Sequence, residues 1–166
     1  MAYKIIRIDT VTDLWVQVIR QSFETVAKTF NLTEVSVPTN GAFIKIEALH
    51  RMMDQGVACF GLLDGDIPVG FVAVEQASDQ AFRLEKLAVL PAFRHKGYGR
   101  LLVQWAVAYA ASAGGAEMTI GVIDDHETLK KWYLTLGFHT IKRKKFKHLP
   151  FAVCFMKKSI SEKDMV

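Results

Sequence analysis

Apolar and polar residues alternate from residue 3 to residue 8, a period of two that predicts a first strand. Between Asp13 and Phe30 the period lengthens. Leu14, Val18, Phe23, Val26 and Phe30 recur near helical spacing and predict an amphipathic helix. Asn31 to Gly41, with a proline among polar residues, reads as a loop. Phe43, Ile46, Leu49 and Met53 mark a second helix over Phe43 to Gln55, with Gly56 as its stop. Two apolar runs, Val57 to Leu63 and Ile67 to Glu75, flank Asp64-Gly65-Asp66 and predict a hairpin. Ala81 to Val89 is a further strand. Tyr98 to Ser112 is a helix, with Leu101, Leu102, Trp105 and Tyr109 expected inward and Gly114-Gly115 ending it. Glu117 to Ile123 is a strand, Asp125 to Leu136 a helix broken by Gly137, and Phe138 to Arg143 and Phe151 to Lys157 are the last strands. The strand-helix-strand units predict a parallel pair joined by a right-handed crossover, and the hairpins predict antiparallel pairing elsewhere. A mixed α/β sheet with helices on both faces accommodates that order.

The most informative chemistry lies where the run ending at Val89 meets Pro91-Ala92-Phe93-Arg94-His95-Lys96-Gly97-Tyr98-Gly99-Arg100 and then a helical pattern. The first N–H groups of a helix lack intrahelical partners, and the helix dipole adds positive potential, so such a turn attracts phosphate. Gly97 and Gly99 carry no Cβ and let a ligand approach the backbone. A Walker loop is excluded because no glycine stands five residues before a Gly-Lys-Ser/Thr. The dinucleotide fingerprint is excluded because its third glycine would fall at Leu102.

The remaining R-x-x-G-x-G pattern, after Leu87-Ala88-Val89-x-Pro91 and before Leu129-Lys130-Lys131-Trp132-Tyr133-Leu134-Thr135-Leu136-Gly137-Phe138, resembles the acetyl-CoA site of the GNAT N-acetyltransferase family. The likeness spans about residues 57 to 158. It implies a GNAT-like fold of about seven strands flanked by about four helices, in a single domain over 1–166 whose residues 10–56 or so form the acceptor side. It implies acetyl transfer from acetyl-CoA, as cosubstrate, to a primary amine by direct attack in a ternary complex. The backbone from Arg94 through His95, Lys96, Gly97, Tyr98 and Gly99 to Arg100 would bind pyrophosphate, with Arg94, Lys96 and Arg100 adding charge. The main chain at Leu87, Ala88 and Val89 would pair with the pantetheine arm, and an N–H near Val89 would face the thioester oxygen. Tyr133, four residues before Gly137-Phe138, would be the general acid for the departing thiolate, against a plain reading as a half-buried aromatic. Glu85, expected on the same strand face as Leu87 and Val89, is the candidate base, against a solvated residue paired with Lys86 or Arg83. His126 stands where the family often has an asparagine contacting pantetheine. The alternative is a non-catalytic acetyl-CoA-binding or sensor module of the same fold, which could dispense with Tyr133.

Composition narrows the rest. Of 166 residues, 51% are hydrophobic and 23% charged, as in ordinary globular chains. No apolar run is long enough to span a bilayer, and the first residues lack a signal-peptide core, so cytoplasmic residence is the default expectation with no membrane partner. The net charge is +4, but Lys142, Arg143, Lys144, Lys145 and Lys147 supply five positive charges, leaving −1 on the remainder. That argues against a nucleic-acid binder, whose basic residues usually cover a whole face. The run itself reads as a solvated strand end, as an aid to attracting coenzyme A phosphates, or as a contact for an acidic partner. Cys59 and Cys154 sit in separate apolar runs and read as buried free thiols. Asp124, Asp125 and Glu127 suit a helix N-terminus without a metal. The acceptor, small molecule or peptide, stays open, and so does oligomeric state, a homodimer included.

Overall fold

The computed structural model describes residues 2–165. Its strands are β1 (Tyr3–Arg7), β2 (Ala58–Asp64), β3 (Ile67–Gln76), β4 (Ala81–Val89), β5 (Glu117–Ile123), β6 (His139–Lys145) and β7 (Ala152–Ser159). Its α-helices are α1 (Asp13–Thr29), α2 (Ile46–Asp54), α3 (Tyr98–Ser112) and α4 (Glu127–Thr135). The strands form one sheet in the order β1-β2-β3-β4-β5-β7-β6, in which only β4 and β5 run parallel. Alternate side chains divide the core. Ala58, Phe60, Val72, Val74, Phe82, Leu84, Met118 and Ile120 face α3 and α4, whereas Cys59, Phe71, Ala73 and Ala88 face α1 and α2. Among the described residues no helix is long and apolar enough to cross a membrane.

Several expected faces turn out rotated. Leu14 is exposed, whereas Val18 is buried as expected and α1 also buries Trp15, Val16, Ile19, Ser22 and Ala27. The cause is Gly61, whose missing side chain leaves room for the Trp15 indole on β2. Gly61→Val is therefore expected to cost about 1–3 kcal/mol of unfolding free energy, read by urea titration, because a Cβ there overlaps the ring. On α3, Trp105 is 41% exposed rather than inward. The buried stripe is Tyr98, Leu102, Val103, Ala106, Val107, Ala110 and Ala111. Its alanines let the helix lie close to the sheet, and Leu102 fills the space above Gly70. The second helix is interrupted at its start: Gly41–Phe43 is a 3₁₀ turn capped by Asn40, and α2 begins at Ile46. The β2–β3 hairpin turns on Gly65 and Asp66, with Gly65 at φ +61°. Both cysteines are buried and free, and burial pushes the Cys59 thiol up to about 11.

Two departures from regular pairing shape the middle of the sheet. The parallel pairing of β4 with β5 covers only Ala81–Arg83 against Glu117–Thr119, after which the strands part. Beyond that point β4 stays paired with β3, and β5 with β7. The second departure is a bulge in β4. Phe71 pairs with Ala88 and Ala73 with Glu85, so Lys86 and Leu87 together oppose one residue. Lys86 takes φ +52° to make the bulge, a left-handed conformation that lysine rarely adopts.

Candidate active site

Because β4 and β5 separate, the β4 edge from Leu84 to Val89 faces a wedge with no ladder partner on that side. Peptide groups left open in this way can pair with an extended ligand as an added strand would. This is where the sequence puts the pantetheine-binding main chain of Leu87, Ala88 and Val89. Leu87 and Val89 pack toward the α3/α4 core and Ala88 toward α1.

The bulge overturns one expectation. Phe82 and Leu84 face the α3/α4 core, so Glu85 points to the α1 side. One extra residue then restores Leu87 and Val89 to the α3/α4 side, and Glu85 lies on the opposite face from them. Burial raises the Glu85 carboxyl above its ordinary value, with the nearby Lys86 and Arg83 charges acting against that rise. Lys86 donates from Nζ to the Thr39 carbonyl at 2.9 Å, which ties the loop after α1 to the bulge.

At the end of β4 the chain passes through a 3₁₀ turn at Pro91–Phe93 into the glycine segment. His95 at φ +63° and Gly97 at φ +85° are both left-handed, and such alternation turns successive amides toward one concave spot. Gly97 is the N-cap of α3 and has no side-chain cap. Among the described residues no acceptor pairs with the amides of His95, Lys96, Gly97, Gly99 or Arg100. A Cβ added at Gly97 would meet nothing within 4 Å, so the space beside that residue is open. One at Gly99 would press on the Trp132 ring at 3.2 Å, so Gly99 also admits the α4 indole.

The basic side chains divide. Lys96 and Arg100 are exposed beside the turn, Lys96 with its ammonium 5.3 Å from the Phe93 ring centre. Arg94, expected to add charge for phosphate, is engaged elsewhere. Its guanidinium donates to Val89 O at 3.1 Å, to Thr25 Oγ1 at 3.1 Å and to Ser22 O at 2.7 Å, bracing the turn against α1. The Tyr98 side chain also leaves the turn, being buried with its hydroxyl donating to Asp64 Oδ2 at 2.6 Å.

Tyr133 is 4% exposed, flanked edge-on by Trp132 at 5.0 Å and Phe138 at 5.4 Å. Burial pushes its phenol well above the ordinary range, so the ring stays protonated at neutral pH. Its position is fixed by the end of α4. The Phe138 N–H donates to Tyr133 O and the Gly137 N–H to Leu134 O, both at 3.1 Å, with Gly137 at φ +94°. This double bond pattern requires a left-handed residue and explains the glycine. At the other end of α4, His126 is the N-cap, its Nδ1 accepting from the Leu129 N–H at 3.4 Å while burial lowers its pKa.

One constellation had no sequence signal beyond its acidity. Asp124 is buried, accepting from Lys130 Nζ at 3.1 Å and from the Arg143 guanidinium. It thus clamps α4 to the edge strand β6. Arg143 chiefly, with Lys130, holds the carboxyl below its usual range. The clamp therefore stabilises above the unfolded carboxylate pKa and weakens as pH falls through the folded one. Asp124→Asn should lower Tm clearly at neutral pH, with the gap from wild type shrinking below about pH 4, as seen by calorimetry across pH. Among the described residues no group of three or more His, Cys, Asp or Glu side chains is placed to hold a metal ion.

The acetyltransferase (GNAT) family model matches residues 23–138. The chain belongs to the GNAT acetyltransferase family. Solved structures of the same fold include the ribosomal-protein-S18-alanine N-acetyltransferase of Escherichia coli, at 19% identity and TM-score 0.74 over 96% of this chain and 95% of that one. A probable acetyltransferase of Staphylococcus epidermidis is 13% identical with TM-score 0.75, over 96% and 100% of the two chains. A GNAT family acetyltransferase of Elizabethkingia anophelis with acetyl-CoA bound is 9% identical with TM-score 0.71, over 95% and 98%. Family membership supports acetyl transfer for this GNAT chain, and the seven-stranded sheet with four α-helices is the GNAT fold.

Proposed function

We propose that this GNAT protein moves the acetyl group of acetyl-CoA onto a primary amine, both substrates being bound together. What supports the reading is the parting of β4 from β5 directly ahead of a turn in which the amides of His95, Lys96, Gly97, Gly99 and Arg100 have no partner among the described residues. The open space at Gly97 suits a diphosphate, and Lys96 and Arg100 supply positive charge beside it. The coenzyme supplies a thioester carbonyl for the amine to attack. The β4 main chain near Val89 holds the acyl arm extended and offers an N–H to the oxygen as it gains charge. Tyr133, neutral at working pH, hydrogen-bonds the sulfur and gives it a proton as the carbon–sulfur bond breaks. Glu85, directed to the α1 side, accepts the proton released by the amine. His126, already capping α4, has Nε2 left for a pantetheine carbonyl.

A carboxyl whose pKa is raised gains charge later as pH rises, so the acid limb of kcat/KM should lie above the ordinary carboxylate range. Glu85→Gln is expected to lower kcat/KM about 10- to 100-fold and to flatten that limb, read from a pH–rate profile. The direct test of the proposal is thiol release from acetyl-CoA in the presence of a panel of primary amines. Amine-dependent release is expected, and its absence despite coenzyme binding would favour a sensor module.

A further inference from the structure

We propose that the acceptor amine carries an anionic group at its far end, received by Lys142 and Lys144 on the α1-side face of β6. This rests on the amine-acetylating reading above and adds a substrate class to it. The argument starts from register. Arg83 pairs with Thr119, so two residues further on Glu85 stands level with Gly121 across the wedge. Gly121 pairs with Phe155, and Phe155 with Lys142. These residues share one face, because Phe82, Leu84, Met118, Ile120, Cys154 and Met156 all point to the other. A single row therefore runs from the carboxylate of Glu85 over Gly121 to Phe155 and Lys142.

The row has a floor and an end. Gly121 is exposed, and a Cβ there would touch Val153 at 3.3 Å and Phe155 at 3.5 Å, so the glycine keeps the floor flat beside the aromatic ring. The Lys142 ammonium lies 5.3 Å from the Phe155 ring centre, and Lys144 lies 4.9 Å from that of Phe146, whose ring is 6.3 Å from Phe155. Two positive charges thus hang over an aromatic surface at the end opposite Glu85. Neither has an acidic partner among the described residues, whereas Arg143, between them, is committed to Asp124. Strands lie about 4.8 Å apart, which roots Lys142 about 10 Å from Gly121. Glu85 stands at least one spacing further off, about 15 Å from Lys142, so an amine seated in the wedge between Glu85 and Gly121 with a carboxylate or phosphate several carbons away reaches toward the lysines. A second ammonium at the same place would be repelled.

The experiment compares ω-aminopentanoate and ω-aminoheptanoate with ω-aminopentyl phosphate, with the neutral alkylamines and with the diaminoalkanes of equal length, by thiol release from acetyl-CoA. The carboxylate and phosphate arms distinguish the two anions. The anionic acceptors should exceed the neutral and dicationic ones in kcat/KM at least about tenfold. In Lys142→Glu/Lys144→Glu the order should reverse, with the Kd for acetyl-CoA unchanged. Turnover of neutral or dicationic amines as good as that of the anionic ones would overturn the inference and leave the proposed function standing. A weaker Kd for acetyl-CoA in the double variant would also overturn it, by assigning the lysines to the coenzyme. No release with any amine would overturn both.

Discussion

Tyr133→Phe is expected to lower kcat about 100-fold while leaving the Kd for acetyl-CoA and the Tm close to wild type. Burial alone, with no hydrogen-bond contribution, raises the pKa of the Tyr133 hydroxyl, so its removal breaks no hydrogen bond among the described residues. The ring is held by Trp132, Phe138 and the Gly137 cap, none of which depends on the oxygen. What the variant loses is the proton that would meet the departing sulfur. Steady-state kinetics paired with calorimetric titration separates the two effects. A loss of affinity with kcat preserved would assign Tyr133 to binding instead.

Gly97→Val is expected to weaken acetyl-CoA binding by tenfold or more. Two causes act together. At φ +85° a β-branched side chain is strained by about 1–2 kcal/mol, which pulls the turn away from its conformation. The new side chain also adds bulk at the turn itself, where the protein offers no clash and a bound diphosphate would. Gly97→Asn separates these causes, because asparagine tolerates the left-handed region better. It should keep the fold of the turn and lose affinity through bulk alone. Titration of acetyl-CoA into both variants, with Tm measured alongside, reads the difference.

Strands, helices and the glycine turn were legible because their signals are local: a period of two, a period near 3.6, and glycines between a strand and a helix. The β4 bulge was not, because Lys86 in a left-handed conformation carries no residue-type signal. That hidden residue is why Glu85 was expected beside Leu87 and lies on the other face. Arg94 shows a different limit. Its place in the motif suggested phosphate, but a guanidinium can equally brace a turn, and its acceptors on α1 are about seventy residues away in sequence. Trp105 misled because hydrophobicity favours burying the largest side chain, while close helix–sheet packing favoured the alanines beside it. Asp124 pairs with a residue nineteen positions on, and no spacing rule reports such a clamp.

The central claim is that coenzyme A lies in the β4–β5 wedge with its diphosphate on the amides of the Lys96–Arg100 turn. A crystal structure of the protein with coenzyme A tests it most directly. The expected result has diphosphate oxygens about 3 Å from those amides and pantetheine extended beside Leu87–Val89. Coenzyme A bound elsewhere on the molecule, with the turn left bare, would contradict it.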